Sequence, residues 1–198
     1  MKRIGLFGGS FDPVHHAHLA LTQIALEHLR LDELLSIPVG QPWQKARQLA
    51  RGSDRAAMVT LAIEHEPRFK LESCELRRIG PSYTIDTVRE LQALQLAQWF
   101  LIIGQDQYVQ LHTWHGWREL VALITLAVAN RAGDVPKANA ELEAAGARLI
   151  ELPLAPTSVS ATGLRIRVAL GQDITAMVPV AVARYIENHG LYRVPLRS

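Results

Sequence analysis

The stretch RIGLFGGSFDPVHHAHLAL, residues 3–21, decides the fold class of this chain. Its apolar start, residues 3–7, runs into two adjacent glycines, Gly8 and Gly9, and three histidines follow within four residues. Glycines directly after a buried strand let a ligand approach the backbone, and they allow positive φ angles. The histidines then fall at or near the first turn of a helix, where exposed N–H groups favour an anion. The stretch therefore predicts a strand, a ligand-binding turn and a helix.

Strand-like runs alternate with helical segments along the rest of the chain. The apolar continuity of residues 98–104 and 124–130 indicates strands that are covered on both faces, and strands separated by helices imply parallel pairing. We therefore predict an α/β fold with an open, doubly wound and mostly parallel sheet. The predicted strands are residues 3–7, 33–39, 68–73, 98–104, 124–130 and 147–153.

Three segments have the apolar spacing of helices. The segment 53–65 offers a serine or an aspartate as N-cap. The closing segment 178–192 predicts a helix that ends at Gly190. We treat residues 1–198 as a single domain whose C-terminal part, about 155–198, is helical. The apolar positions of the first two helices are Leu19, Ile24, Ala25 and Leu29, then Met58, Leu61 and Ala62.

The composition favours a globular core and argues against several functional classes. Hydrophobic residues make up 48% of the 198 residues, enough for a sizeable core. A net charge of only +2 gives no case for nucleic-acid wrapping or for binding to an anionic membrane. No apolar run approaches the length of a membrane span, and the N-terminal run is too short for a signal peptide. One cysteine cannot form an internal disulfide, so we expect a cytoplasmic protein.

The histidine cluster has the spacing of a phosphate site rather than of a metal site. His15 and His18 are three residues apart, so both imidazoles could donate to one phosphate chain, while His16 points elsewhere. Zinc is disfavoured because adjacent histidines diverge and neither CxxC nor HExxH is present. The missing GxGxxG and GxxxxGK[ST] patterns argue against a dinucleotide-dependent oxidoreductase and a P-loop enzyme. A plain tight turn with surface histidines is the alternative.

Two further groups of polar residues follow predicted strands. In TSVSATGLR, residues 157–165, Ser158, Ser160 and Thr162 precede or open a helix. Arg165 lies three residues past Thr162, on the same helix face, an arrangement that can bind phosphate oxygens from one side. Ordinary capping beside a surface arginine is the alternative. Gly104 and Asp106 follow another strand, where a carboxylate can accept ribose hydroxyls. Tryptophans 114 and 117 offer either a stacking surface or core side chains.

These residues resemble a known family. GGSFDPVHHAH, residues 8–18, resembles the GG(T/S)FDPxHxGH signature of nucleotidyltransferases, and SVSATGLR, residues 158–165, resembles their (I/V)SxTxxR element. The similarity narrows to bacterial nicotinate-nucleotide adenylyltransferases. It implies a Rossmann-like nucleotidyltransferase fold and conversion of ATP and nicotinate mononucleotide to nicotinate adenine dinucleotide and pyrophosphate, in NAD biosynthesis. The narrowing rests on PSYTIDTVREL (81–91), IIGQD (102–106), ANRAG (129–133) and YIENHGLY (185–192).

The resemblance also implies roles for individual residues. The catalytic positions match His15, His18 and Arg165. It implies Mg²⁺ as cofactor, held mainly by the substrate's phosphates. The ATP-binding positions match Gly8, Gly9, Ser10, Phe11, Lys45, Gly104, Asp106, Ser160 and Thr162; the mononucleotide-binding positions match Thr84, Trp114, His115 and Arg131.

Three positions depart from the family pattern. Ala17 replaces the usual glycine between the motif histidines, a change that a helix tolerates. Gln44 stands where the family loop commonly has histidine, which leaves the role of Lys45 open. Ala161 replaces a residue that commonly carries a hydroxyl, so any phosphate contacts of this motif would depend on the hydroxyls of Ser160 and Thr162.

Other functions stay open at the level of sequence. A sister adenylyltransferase could act on nicotinamide mononucleotide or on phosphopantetheine; the pantetheine enzymes usually have threonine where His15 stands. A nucleotide-binding regulator without catalysis is a further class, disfavoured by the intact His15, His18 and Arg165. The sequence does not decide whether the chain forms a homo-oligomer.

Overall fold

A six-stranded parallel sheet is the centre of the molecule. The computed structural model describes residues 1–42, 49–130, 140–155 and 158–193. Its strands lie in the order β3-β2-β1-β4-β5-β6, so the chain winds outward from β1 in one direction and from β4 in the other. The strands are β1 (Lys2–Gly9), β2 (Glu33–Pro38), β3 (Phe69–Leu71), β4 (Ala97–Gly104), β5 (Thr125–Ala129) and β6 (Leu149–Leu152).

Helices connect these parallel strands and cover both faces of the sheet. Parallel pairing requires a crossover between consecutive strands, and a helix is its usual form. The helices are α1 (His16–His28), α2 (Gly52–Ile63), α3 (Cys74–Arg77), α4 (Thr84–Leu94), α5 (Gln105–Gln110), α6 (Trp117–Leu123), α7 (Ala140–Ala144), α8 (Ala161–Ala169) and α9 (Val180–Asn188), with a 3-10 turn at Leu111–Thr113.

The side chains of β4 show how the sheet divides the core. Phe100 and Ile102 belong to the cluster under α1, α2, α8 and α9, whereas Leu101 and Ile103 belong to the cluster under α4 and α6. Successive side chains of a strand point to opposite faces, so an unbroken apolar run is required wherever both faces are buried. Each fully buried Ile or Leu contributes about 1.5–3 kcal/mol relative to exposure.

Gly5 in the middle of β1 allows close packing and is not explained by its backbone conformation. A β-carbon at this position would lie 2.6 Å from Leu31 Cδ1 and 2.8 Å from Ile102 Cδ1. The small residue therefore lets the helix–strand connection and β4 pack tightly against the centre of the sheet.

Two local predictions are wrong, and each has a physical reason. The first strand does not end at residue 7: Gly8 and Gly9 extend it, because they pair with β2 opposite Ile37 and Pro38, and neither uses the positive φ that glycine allows. The left-handed residue of the turn is Phe11, with φ 45°. The second helix begins at Gly52 with Arg51 as its N-cap, so neither the serine nor the aspartate that follows caps it.

The remaining helix predictions agree with the structure in outline. The helix after β1 buries Leu21, Ala25 and Leu26 most deeply, while the predicted Leu19 and Ile24 pack at the margin of that cluster. The last helix ends before Gly190, which has a φ of 60°. Among the described residues, no helix combines the length and the apolar character that a membrane crossing needs.

Candidate active site

The candidate site lies at the carboxyl edge of the sheet, where β1 and β4 are neighbours. β1 ends at Gly9 and β4 ends at Gly104, and this is where the strand order changes direction, the usual ligand position in an open α/β sheet. Β-carbons added at Gly8 or Gly104 would meet no atom of the described chain within 4 Å. Both glycines therefore border open space at this edge.

His15 and His18 form a stacked pair at the start of α1. His15 is the N-cap of the helix, and the two ring centroids are 3.7 Å apart with an interplanar angle of 21°. The backbone N–H of His15 donates to Nδ1 of His18 over 3.2 Å, so a neutral His18 carries its proton on Nε2. His16 is exposed, and its backbone N–H donates to the carbonyl oxygen of Met177. The structure thus brings together the two histidines that the spacing singled out.

Burial makes His15 a neutral group at neutral pH. The side chain lies in the folded interior, with 6% of the residue exposed. Desolvation, with a smaller contribution from the neighbouring His16, lowers its pKa from 6.5 to about 4. A neutral imidazole donates one hydrogen bond and carries no charge. His15 can therefore orient a phosphate oxygen, while the positive charge must come from other groups.

Buried polar atoms without a partner mark the same edge. In the described part of the chain, four side-chain atoms are buried and make no hydrogen bond: His15 Nδ1, Gln105 Oε1, Trp114 Nε1 and Asn130 Oδ1. These residues follow the carboxyl ends of β1, β4 and β5. An unpaired buried polar group costs free energy, so a polar ligand that reached these atoms would remove that cost.

Two phosphate-type segments, residues 8–18 after β1 and residues 158–165 at the start of α8, match the two sequence motifs. The second segment caps α8 and contacts the first. Ser160 is the N-cap, and its Oγ accepts from the backbone N–H of Gly163 at 3.1 Å. Arg165 donates through Nη2 to Thr162 Oγ1 at 3.0 Å and through Nη1 to the carbonyl oxygen of Asp12 at 2.7 Å. One guanidinium therefore joins the turn after β1 to the first turn of α8.

A cavity of about 160 Å³ opens beside the Gly8–Gly9 segment. Its floor is apolar, with Leu6, Ile37, Leu101 and Ile103 of the sheet. Six residues singled out by the sequence line it, namely Gly8, Gly9, Ser10, Thr84, Trp114 and His115, whereas His15, His18 and Arg165 do not. The site thus has two parts: a pocket open to solvent on one side and a cluster of phosphate-compatible groups that does not line it.

Aromatic rings form one wall of the cavity. Tyr83 and His115 stack with centroids 4.3 Å apart and an interplanar angle of 30°, and both line the cavity together with Trp114. Trp117 instead belongs to the core, so of the two tryptophans only Trp114 is placed to contact a ligand. A flat aromatic wall above an apolar floor suits a planar ring.

Sequence reasoning missed a buried carboxylate in this cavity. Glu75 lines the wall and is 8% exposed. Desolvation raises its pKa, opposed by hydrogen bonds from the Thr87 and Ser82 hydroxyls and the Gly40 backbone. Ser82 Oγ in turn accepts from the backbone N–H groups of Gly40 and Gln41. Glu75 therefore ties the loop after β2 to the start of α4, a link that no local pattern around CELR, residues 74–77, reveals.

The other predicted ATP-binding residues lie at the same edge or outside the described chain. Asp106 is exposed in the first turn of α5, directly after Gly104. Phe11 is buried against Phe7 and His18, so its side chain supports the turn. Lys45 and Arg131 lie outside the described residues.

The fold and the two joined phosphate-type segments define a nucleotide-binding α/β protein. The chain belongs to the cytidylyltransferase-like family, whose model matches residues 6–167, and within it to the nicotinate-nucleotide adenylyltransferases. A protein of Methylibium petroleiphilum named "Probable nicotinate-nucleotide adenylyltransferase" is 51% identical over 98% of this chain and 94% of its own length. A protein of the same name from Bordetella petrii is 48% identical over 98% of this chain and 100% of its own length.

A solved structure shares the fold at much lower sequence identity. The nicotinic acid mononucleotide adenylyltransferase of Plasmodium falciparum, complexed with NaAD, superimposes with a TM-score of 0.78 at 20% identity. The match covers 97% of this chain and 98% of that one. The predicted Rossmann-like nucleotidyltransferase architecture is confirmed.

Proposed function

We propose that this chain transfers the adenylyl group of ATP to nicotinate mononucleotide, forming nicotinate adenine dinucleotide and pyrophosphate in NAD biosynthesis. The observation that carries the proposal is Arg165, whose guanidinium donates to the Asp12 carbonyl oxygen at 2.7 Å and so joins the two phosphate-type segments beside the cavity. The relatives at 51% and 48% identity support the choice of acceptor.

The reaction requires alignment more than acid–base chemistry. The phosphate of the mononucleotide is mostly ionised near neutral pH, since its second pKa is about 6, so it attacks without a general base. Its oxygen forms a bond to the α-phosphorus of ATP while the bond to the bridging oxygen breaks, and pyrophosphate leaves with that electron pair. Positioning and charge neutralisation carry most of the catalysis in such transfers.

Three side chains, Arg165, His18 and His15, bind the triphosphate, each in a different way. Arg165 supplies permanent charge and a rigid pair of donors for phosphate oxygens. His18 directs its Nε2 proton to an oxygen when Nδ1 accepts from the His15 backbone. His15 acts as a neutral donor in the free protein, and an arriving polyanion raises the pKa of its imidazole because an opposite charge favours the protonated form.

The cavity is assigned to the nicotinate end of the acceptor. Trp114 and the stacked Tyr83–His115 pair present flat surfaces to the pyridine ring. Thr84 opens α4, where backbone N–H groups favour an anion, and this suits a carboxylate. The backbone of Gly8 to Ser10 then separates the two substrates.

The ATP side is assigned to the neighbouring groups of the sheet edge. Gly104 and Asp106 bind the nucleoside, and Ser160 and Thr162 contact the phosphates. The open space beside Gly104 supports this assignment. Roles for Lys45 and Arg131 rest on the sequence resemblance alone.

Mg²⁺ belongs to this proposal as an ion held mainly by the substrate's phosphates. The donor set fits this arrangement, because Asp12, the buried carboxylate of the turn after β1, already accepts from Tyr192 and from the Ala50 backbone. When bound to ATP, Mg²⁺ neutralises part of the phosphate charge. His18 and Arg165 would orient the phosphates that hold it. A cytoplasmic location, where thiols such as the buried Cys74 stay reduced, is part of the same proposal.

A paired acceptor assay tests the activity and the substrate together. Pyrophosphate release is measured with ATP and Mg²⁺ and with nicotinate mononucleotide, nicotinamide mononucleotide or phosphopantetheine as acceptor. We expect the nicotinate compound to have the largest kcat/KM, and faster turnover of the amide would refute the assignment. His18→Ala is expected to lower turnover by at least ~10²-fold, since it removes a preorganised donor.

A further inference from the structure

The C-terminal segment after α9 reaches back to the phosphate site. Tyr192 is half-buried and has a left-handed backbone, with a φ of 63°. Its hydroxyl donates to Asp12 Oδ1 at 2.8 Å, across 180 positions of the sequence. The contact ties the end of the described chain to the turn that follows β1.

Asp12 divides its oxygens among several elements. The residue is 1% exposed. Its Oδ1 accepts from Tyr192 and, at 3.2 Å, from the backbone N–H of Ala50. Its carbonyl oxygen accepts from Arg165 Nη1, and the same nitrogen lies 3.9 Å from Oδ2. The plane of this carboxylate therefore sets how closely its second oxygen approaches the arginine.

We propose that Tyr192 is a positioning residue that keeps Arg165 available to the triphosphate by holding the Asp12 carboxylate in place. The proposal rests on the proposed function. Without the hydroxyl, the carboxylate would turn Oδ2 from 3.9 Å towards the guanidinium and form a closer ion pair. A charge-assisted bond at short range is much stronger than a distant one, so the arginine would be drawn away from the phosphates.

The chain supplies a matched control for the loss of one phenolic oxygen. Tyr185, in α9, also donates its hydroxyl to a carboxylate, Asp54 Oδ1 at 3.0 Å. That pair joins α9 to α2 and includes none of the residues assigned to substrate. Both Tyr→Phe changes should therefore lower stability, but only one should change catalysis.

Steady-state kinetics of the two variants separates positioning from folding. We expect Tyr192→Phe to lower kcat/KM for ATP about 10-fold, the size of one hydrogen bond to a charged group, with KM for the acceptor within about twofold. Tyr185→Phe should leave both parameters within about twofold. Equal effects of the two variants, or no effect of Tyr192→Phe on ATP kinetics, would overturn the proposal.

Calorimetric binding of ATP with Mg²⁺ adds a readout that does not depend on turnover. In the otherwise wild-type protein, Tyr192→Phe should raise the Kd for ATP. In a protein that already carries Asp12→Asn, adding Tyr192→Phe should change this Kd less than twofold, because the uncharged side chain at position 12 no longer attracts Arg165. Additive effects would overturn the proposal. If wild-type protein binds ATP but does not use nicotinate mononucleotide, the proposed function fails while this comparison still decides the role of Tyr192.

Hydrogen exchange of the wild-type chain covers the case in which Tyr192→Phe does not fold. Binding of ATP at Arg165 should slow exchange in residues 189–193, since Tyr192 and Arg165 share Asp12. A purely structural tyrosine predicts the same exchange with and without ATP, and that result would contradict the proposal.

Discussion

Burial of His15 makes the free energy of unfolding depend on pH just below neutrality. Its pKa is lowered to about 4 in the folded protein and returns to about 6.5 in the unfolded chain. Between these values the unfolded chain binds more protons than the folded one. The folded state therefore keeps its full stability above pH 6.5, where His15 is neutral in both states, and the free energy of unfolding falls as the pH is lowered towards 4.

The size of the effect follows from the two pKa values. Proton linkage predicts that His15 lowers the free energy of unfolding by about 2 kcal/mol at pH 5 and by about 3 kcal/mol at pH 4, relative to its value above pH 6.5. Such a loss is large beside the ~5–15 kcal/mol that usually stabilises a domain. Other groups also contribute: Glu66 has a lowered pKa and Glu75 a raised one, and their contributions to the pH dependence have opposite signs. A variant comparison is needed to isolate the histidine.

Urea unfolding of the ligand-free protein at pH 7.5, 6 and 5 provides the measurement. His15→Asn keeps a residue that caps helices well and removes the titration. We expect the wild-type protein to lose about 2 kcal/mol more than this variant between pH 7.5 and 5. His28→Asn, an exposed change in the last turn of the same helix, should behave like wild type. Parallel pH profiles of wild type and His15→Asn would refute the reasoning.

Three further predictions test other parts of the site. Gly8→Ala and Gly104→Ala should both fold normally, because an added β-carbon meets nothing within 4 Å at either position. Gly8 lines the cavity and borders both proposed substrates, so Gly8→Ala should raise KM for the acceptor as well as for ATP, whereas Gly104→Ala should raise KM for ATP alone. Equal effects of the two variants on KM for the acceptor would contradict the two-part site. Glu75→Gln turns an amide towards hydroxyl donors and should lower the free energy of unfolding by roughly 1–3 kcal/mol, measured by urea titration; an unchanged value would exclude the network. Arg165→Lys keeps the charge but loses the rigid fork, so kcat should fall at least ~10-fold, and wild-type kcat would argue against its role.

The central strands could be predicted because they are short, mainly apolar and bounded by turn residues. Residues 98–104 contain no polar side chain between Trp99 and Gly104, and β4 spans Ala97–Gly104. A strand buried on both faces leaves this unbroken signature. The first helix and its histidines could be predicted for a similar reason, since their spacing is local.

The walls of the cavity could not be predicted, because they depend on contacts between distant segments. Gly40 and Ser82 are 42 positions apart and share a hydrogen bond, and a β-carbon at Gly40 would lie 2.1 Å from the carbonyl oxygen of Glu75. Nothing in either segment indicates this approach. The positive φ at Phe11 was missed for a related reason, because sheet pairing keeps Gly8 and Gly9 extended.

The bond between Arg165 and the Asp12 carbonyl oxygen has a consequence for synthesis of the chain. The two residues are 153 positions apart in the sequence. The first strands of a growing chain can therefore fold before Arg165 has left the ribosome. Domains fold from the N-terminus as they emerge, and the turn after β1 must wait for a residue made near the end. The link between the turn after β1 and α8 can therefore form only after Arg165 has been synthesised.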